Sequence, residues 1–182
     1  MHQKRAKDLM LPLSEYAVVP EDATIMEALE ILEASQKSLP PGRQPHRAVL
    51  VRGRNGKIVG KLGQLGFLKS LEPRYNALGD IETLSRAGLS SEFISSMMEN
   101  MRFWRDDITD VCARARTTRI ADAMHPVTEN IDENAYIVEA VHMLVMWQTL
   151  SILVTRNGEV VGILRLSDVF GEISHYIQSC PK

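Results

Sequence analysis

The groups in this chain with the most chemistry to offer at close spacing stand near its end, in the stretch NGEVVGILRLSDVF. There Arg165, Ser167 and Asp168 bring together a guanidinium, a hydroxyl and a carboxylate. Such a set can serve a fold or a ligand. Ser167 and Asp168 suit the opening of a helix, because serine is a good N-cap and an aspartate in the first turn answers the helix dipole; Arg165 then pairs with a surface carboxylate. The same groups can instead converge in a cleft and meet a small molecule. An earlier stretch, NGKIVGKLGQLGFL, repeats the frame but has Gly63, Leu65 and Gly66 at the corresponding places.

Other reactive groups assemble nothing comparable. The run RDDITD from Arg105 to Asp110 contains Asp-Asp-x-x-Asp, and carboxylates at helical spacing can hold Mg²⁺, but a charge run of this kind reads first as a solvated helix end or turn. His2, His46, His125, His142 and His175 show no i, i+4 ligand pairing, so no metal is expected. His46, at the start of a hairpin, is a weak candidate for a ligand contact. Cys112 and Cys180 lack metal spacing and read as free thiols of a reducing cytoplasm. No Gly-x-Ser-x-Gly elbow and no nucleophile–base–orienter set is present, so no catalytic residue is expected and the chain reads as a non-enzyme.

What positions these groups is an internal repeat. EDATIMEALEILEASQ from Glu21 aligns with ENAYIVEAVHMLVMWQ from Glu133, AVLVRGRNGKIVG aligns with SILVTRNGEVVG once one residue of slack is allowed, and AKDLM matches IADAM. Ile25, Ala28, Leu29 and Leu32 make one helical stripe, repeated by Ile137, Ala140, Val141 and Leu144, and Thr24 with Glu27 forms a capping box. Asn55-Gly56 and Asn157-Gly158 each predict a type I′ hairpin between short apolar strands. Val169, Phe170, Ile173, Tyr176 and Ile177 form the apolar face of a closing helix. Each half is then an α/β unit of order β-α-β-β-α. It is too small to bury both faces of its sheet alone, so the two units are expected to pack sheet against sheet about a pseudo-twofold.

The expected division is 1–72 for the first repeat, 73–118 for a helical insertion or linker, and 119–182 for the second repeat. The loop KSLPPGRQP enlarges the first half. In the insertion, Phe93, Met97, Met101 and Trp104 lie on one stripe beside Ile94 and Met98, with Ser90 or Ser91 as cap. This Met-rich face either packs on the repeats or holds a partner. With 182 residues, a net charge of −2 and 45% apolar residues, the chain carries an ordinary core and no basic stripe for nucleic acid. Its longest apolar run, LVMWQTLSILV, is too short for a membrane span, and MHQKRAKDLM lacks a signal-peptide core, so a cytoplasmic protein is expected.

The order and duplication of D-x-M, the apolar helix with Glu-Ala, the Asn-Gly hairpin and the Gly-apolar-apolar-x-x-x-Asp frame resemble a pair of cystathionine β-synthase (CBS) domains, a Bateman module. The resemblance covers most of the chain except the insertion. It implies a stand-alone regulatory module with no required cofactor. In such a module AMP, ADP, ATP or S-adenosylmethionine occupies a cleft between the repeats, two copies associate into a homodimer, and a separate effector protein reads the change. It also implies site residues: Val127 and Thr128, after Pro126, on the adenine lead-in; Ser151 and Ile152 at the hairpin start; Asp168 at the ribose; and Ser167 as a hydroxyl near it. Arg165 departs from the family's Thr or Ser and is a cation for a phosphate. In the first half Lys61, Gly63 and Gly66 depart from the pattern. Its cleft is either vacant or uses glycine amides for an anion. The alternative is a scaffold that binds no ligand and acts through the Met-rich insertion.

Overall fold

The computed structural model describes residues 4–40, 44–78, 88–105 and 107–180. The first half runs α1 (Ala6–Leu9), β1 (Leu11–Pro12), β2 (Val18–Pro20), α2 (Ile25–Lys37), β3 (Ala48–Arg52), β4 (Ile58–Gly63) and α3 (Gln64–Leu71). After a 3-10 stretch at Pro73–Leu78 come α4 (Ser91–Met101) and α5 (Ile108–Thr117). The second half is α6 (Ile120–Ala123), β5 (His125–Pro126), β6 (Asn130–Asp132), α7 (Ile137–Met146), β7 (Ser151–Arg156), β8 (Glu159–Arg165) and α8 (Leu166–Gln178).

The capping box is in place: the Thr24 amide donates to Glu27 Oε2 at 2.7 Å, and the Glu27 amide donates to Thr24 Oγ1 at 3.2 Å. Ile25, Ala28 and Leu32 of α2, and Ile137, Ala140 and Leu144 of α7, are buried as their spacing requires. The strand runs are continuously apolar because both sheet faces are covered. Val49 and Val51 point to the helices, while Leu50 points to the other sheet; Ile152, Val154 and Leu153 divide the same way. The third cluster, with Leu11, Tyr16, Leu50, Leu153 and Ile163, is the seam between the sheets.

Each half does not keep its own lead-in. The sheets are β2-β3-β4-β5 and β1-β8-β7-β6, so each four-stranded sheet takes its outer strand from the other half. Leu11 pairs with Ile163 and Pro12 with Gly162, while Lys61 pairs with His125 and Gly60 with Pro126, all antiparallel. The short helices follow their strands across. The Ile137 amide donates to the Lys4 carbonyl at 3.0 Å and the Ile25 amide to the Thr118 carbonyl at 3.0 Å, so each crossing satisfies an N-terminal amide of a helix that has no partner within it.

The two hairpins differ from the common expectation. Asn157 and Gly158 have φ of 52° and 79°, as a type I′ turn requires. The first hairpin has a longer loop, because Arg52 faces Ile58 and Gly53 is the residue of slack in the repeat. The Gly56 amide closes a turn on the Gly53 carbonyl at 2.9 Å, and only Gly56, at φ 78°, enters the left-handed region.

Among its described residues the insertion carries two separate α-helices, α4 and α5. Asp107 caps α5, its Oδ1 accepting from the Thr109 amide at 3.0 Å, so part of RDDITD is a helix start; Asp106 lies outside the described residues. α5 lies against α2, and its Ala115 joins the first core. α4 has Ser90 as its cap and no buried residue. It ends at Met101, where Arg102 turns left-handed at φ 52°, so Trp104 leaves the expected stripe. It is held instead at the fully buried Glu72, whose Oε2 accepts from the Trp104 amide at 2.8 Å. Tyr75 stacks on Phe103 beside it, with ring centroids 4.6 Å apart. On α8, only Val169 of the expected face is buried; Phe170, Tyr176 and Ile177 are exposed.

Candidate functional site

A cleft of about 680 Å³ opens where β4 and α3 of the first half approach β7, β8 and α8 of the second. Lys61, Gly63 and Gly66 lie on one side, and Ser151, Arg165, Ser167 and Phe170 on the other. A smaller hollow of about 300 Å³ beside Glu21 and Arg54 lies near the β3–β4 hairpin, and its charges already face each other, Arg54 Nε to Glu21 Oε1 at 3.4 Å.

Two cations cross between the halves at the cleft. Lys61 Nζ reaches the Ser151 carbonyl at 3.0 Å, Glu129 Oε2 at 3.2 Å and Thr149 Oγ1 at 3.3 Å. Arg165, the last residue of β8 and N-cap of α8, is buried. Its Nε and Nη2 donate to Asp168 Oδ2 and Oδ1 at 2.6 and 2.7 Å, and its Nη1 donates to the Gln44 carbonyl at 2.9 Å. The bidentate pair fixes the guanidinium plane, as fork-to-carboxylate geometry does. Tyr16 closes the inner wall, its ring 4.4 Å from that of the buried His46. Burial pushes the Tyr16 hydroxyl up to about 12; nearby Arg165 opposes the shift and Asp168 adds to it.

The expected site residues therefore divide. Ser151, Arg165 and Ser167 line the cleft. Asp168 stands behind them and faces Arg165. The Ile152 side chain is fully buried in the second core, Val127 packs into the seam between the sheets, and Thr128 is exposed. Gly66 is set by packing, since a Cβ there collides with the Leu62 side chain; at Gly63 the space is free, the nearest atom being the Arg47 carbonyl oxygen at 3.9 Å. The cross-half role of Lys61 was not foreseen. Its signal was a charge on an inward strand position whose partner in the repeat is Ile163. Among the described residues no group of three metal-binding side chains occurs, and no helix is long and apolar enough to cross a membrane.

The comparisons agree with this geometry. The model of the CBS domain matches twice, at residues 6–71 and 120–175. Among solved structures, the chain is similar to CBSX2 in complex with AMP, at 17% identity over 97% of this chain and 99% of that one, with TM-score 0.59. CBSX2 from Arabidopsis thaliana gives 14% identity, 97% and 98% coverage, and TM-score 0.60. The cytosolic domain of the Mg²⁺ channel MgtE in complex with ATP gives 19% identity over 93% of this chain and 49% of that one, with TM-score 0.57. Protein MJ1004 of M. jannaschii gives 18% identity and TM-score 0.57; 94% of this chain covers 60% of that protein's length. None of the curated proteins compared with the chain matches it significantly. With two matched copies, exchanged lead-in strands and a cleft between the halves, the chain belongs to the CBS domain family as a tandem pair.

Proposed function

We propose that this CBS pair is a regulatory module that binds an adenine nucleotide or related adenosyl ligand in the cleft between its halves and passes the change to a partner protein. The observation that carries the reading is that both halves wall one cleft and are joined there by Lys61 and Arg165. A molecule seated among these groups touches both halves at once. It shifts their relative arrangement to the extent that it binds one arrangement better than another. Ser151 and Ser167 supply polar contacts, and Phe170 and Leu150 give apolar cover. The AMP and ATP complexes of similar folds support the ligand class.

The test is thermal unfolding with AMP, ADP, ATP and S-adenosylmethionine in concentration series. Ligand at about a hundred times its Kd adds about 2.7 kcal/mol. A saturable rise with one compound supports the reading, and flat curves for all four overturn it.

A second reading rests on α4. Phe93, Ile94 and Met98 are exposed on a helix that buries nothing, which suits a scaffold with a partner on that face. Homodimer formation is part of either reading, with Phe170 and Ile177 of α8 as the exposed apolar candidates. Sedimentation velocity of Ile94→Glu/Met98→Glu beside Phe170→Glu separates the two faces: the variant that lowers the sedimentation coefficient marks the one in use.

A further inference from the structure

We propose that Arg165 sets the specificity of the cleft: by holding both oxygens of Asp168, it keeps the site from selecting a cis-diol, so an adenine nucleotide binds with or without its 2′-hydroxyl. The inference rests on the nucleotide reading and deepens it. A guanidinium and a cis-diol present the same thing to a carboxylate, two donors side by side. Here the guanidinium has taken both oxygens, at 2.6 and 2.7 Å, and the pair is largely withdrawn from water, with side chains 6% and 19% exposed. Its third contact, to the Gln44 carbonyl, ties it to the other half, so a diol would have to displace a guanidinium fixed at both ends. Removing one partner from such a pair leaves the other buried and uncompensated, which is the costly outcome.

No other carboxylate replaces it. Among the described residues, none of the groups lining the cleft is an aspartate or glutamate. The equivalent place in the first half is Gly66, whose Cβ position is filled by Leu62. In place of a carboxylate pair the cleft offers the donors Arg47 and His125 beside single neutral amides and hydroxyls, Gln64, Gln148, Thr149 and Ser167, none of which presents the two parallel charged acceptors that grip a cis-diol. Donors read acceptors, namely phosphate oxygens and base nitrogens, and these are the same in ribo- and deoxynucleotides.

Isothermal titration of the full chain with ATP and with 2′-deoxy-ATP, on wild type, Arg165→Thr and Arg165→Lys, tests this. The wild type is expected to bind the two within about threefold. R165T frees Asp168 and is expected to prefer the ribose form by about tenfold, the worth of one hydrogen bond to a charged group. R165K folds with the charge retained and, as a point donor, leaves one oxygen open, giving an intermediate ratio. Binding by R165T alone, with the ribose preferred, also supports the proposal. A wild type that already prefers ATP tenfold, or variants with its unchanged ratio, overturns the proposal while the nucleotide reading stands. No binding of either nucleotide by any of the three overturns the proposal, and the nucleotide reading falls with it only if AMP, ADP and S-adenosylmethionine also leave the unfolding curve unchanged.

Discussion

The Leu11 carbonyl oxygen stands 2.5 Å from the point where a Cβ on Gly162 would lie. The incoming lead-in strand of the first half therefore leaves room for glycine alone in the last strand of the second. Gly60 meets the reciprocal strand in the same way, with the His125 carbonyl oxygen at 3.0 Å from its Cβ position and the Met124 sulfur nearer still. Gly162→Ala must push a backbone aside and is expected to cost about 1–3 kcal/mol, read as a lower Tm. Gly171 is the control. It lies in α8 with nothing near its Cβ position, so Gly171→Ala is expected to raise stability by about 0.5–1 kcal/mol. Equal effects at both positions would refute the account of the repeated glycine.

Leu153 and Leu50 face each other's sheets in the seam and are almost fully buried. Leu153→Ala is expected to lose about 2–5 kcal/mol in urea unfolding. Because the seam joins the halves, the transition is expected to stay single for wild type and to broaden or split in this variant. A small loss with an unchanged transition would mean that the halves do not depend on the seam.

Lys61 holds three acceptors of the second half with a side chain 18% exposed, facing a Glu129 side chain 33% exposed. Lys61→Met keeps the aliphatic stem and removes the charge. It is expected to lower stability by about 1 kcal/mol, partly recovered in Lys61→Met/Glu129→Gln. A double-mutant cycle in chemical denaturation measures the coupling, and a zero coupling energy would remove Lys61 from the cross-half bonds.

Tyr16 gives a pH signature. Its folded value, raised to about 12, lies above the usual tyrosine value near 10, so its contribution to stability is complete below about pH 10 and is lost as pH rises toward 12. Absorbance titration of the phenolate is expected to show one of the four tyrosines ionising late, and Tyr16→Phe should delete that late step and flatten the alkaline fall in Tm. Deletion of an ordinary step instead would place Tyr16 in water.

Much of the architecture was legible because it rests on periodic burial. The stripes on α2 and α7, the box at Thr24 and Glu27 and the apolar strand runs all follow from one physical demand, that each unit cover a sheet. The strand exchange was not legible, since β1 and β5 are two residues each and too short for any periodicity. Their trace was Gly60 and Gly162, visible in the repeat but explained only by the backbones that cross them. α5 was hidden by charge, because Arg114 and Arg116 dilute a face that buries only Ala115. At the cleft, the repeat pointed to Arg165 and Ser167, and the family resemblance to Ser151. Spacing alone left open whether Asp168 would answer a ligand or its neighbour three residues away, and the structure pairs it with Arg165.

The exchanged strands also bear on how the chain comes into being. A ribosome releases β1 and then β2, β3 and β4 well before β5, although the place of β1 is beside β8, made later still. The first half therefore emerges with an unpaired sheet edge, and its opening segment waits for a partner not yet synthesised. Long-range pairing of this kind slows folding and lengthens the time during which an edge can pair with another chain. For this protein the newborn intermediate is thus a missing-strand sheet with a waiting arm. Chaperone demand, and any swap of arms between two nascent copies, should concentrate in the interval between completion of β4 and completion of β8.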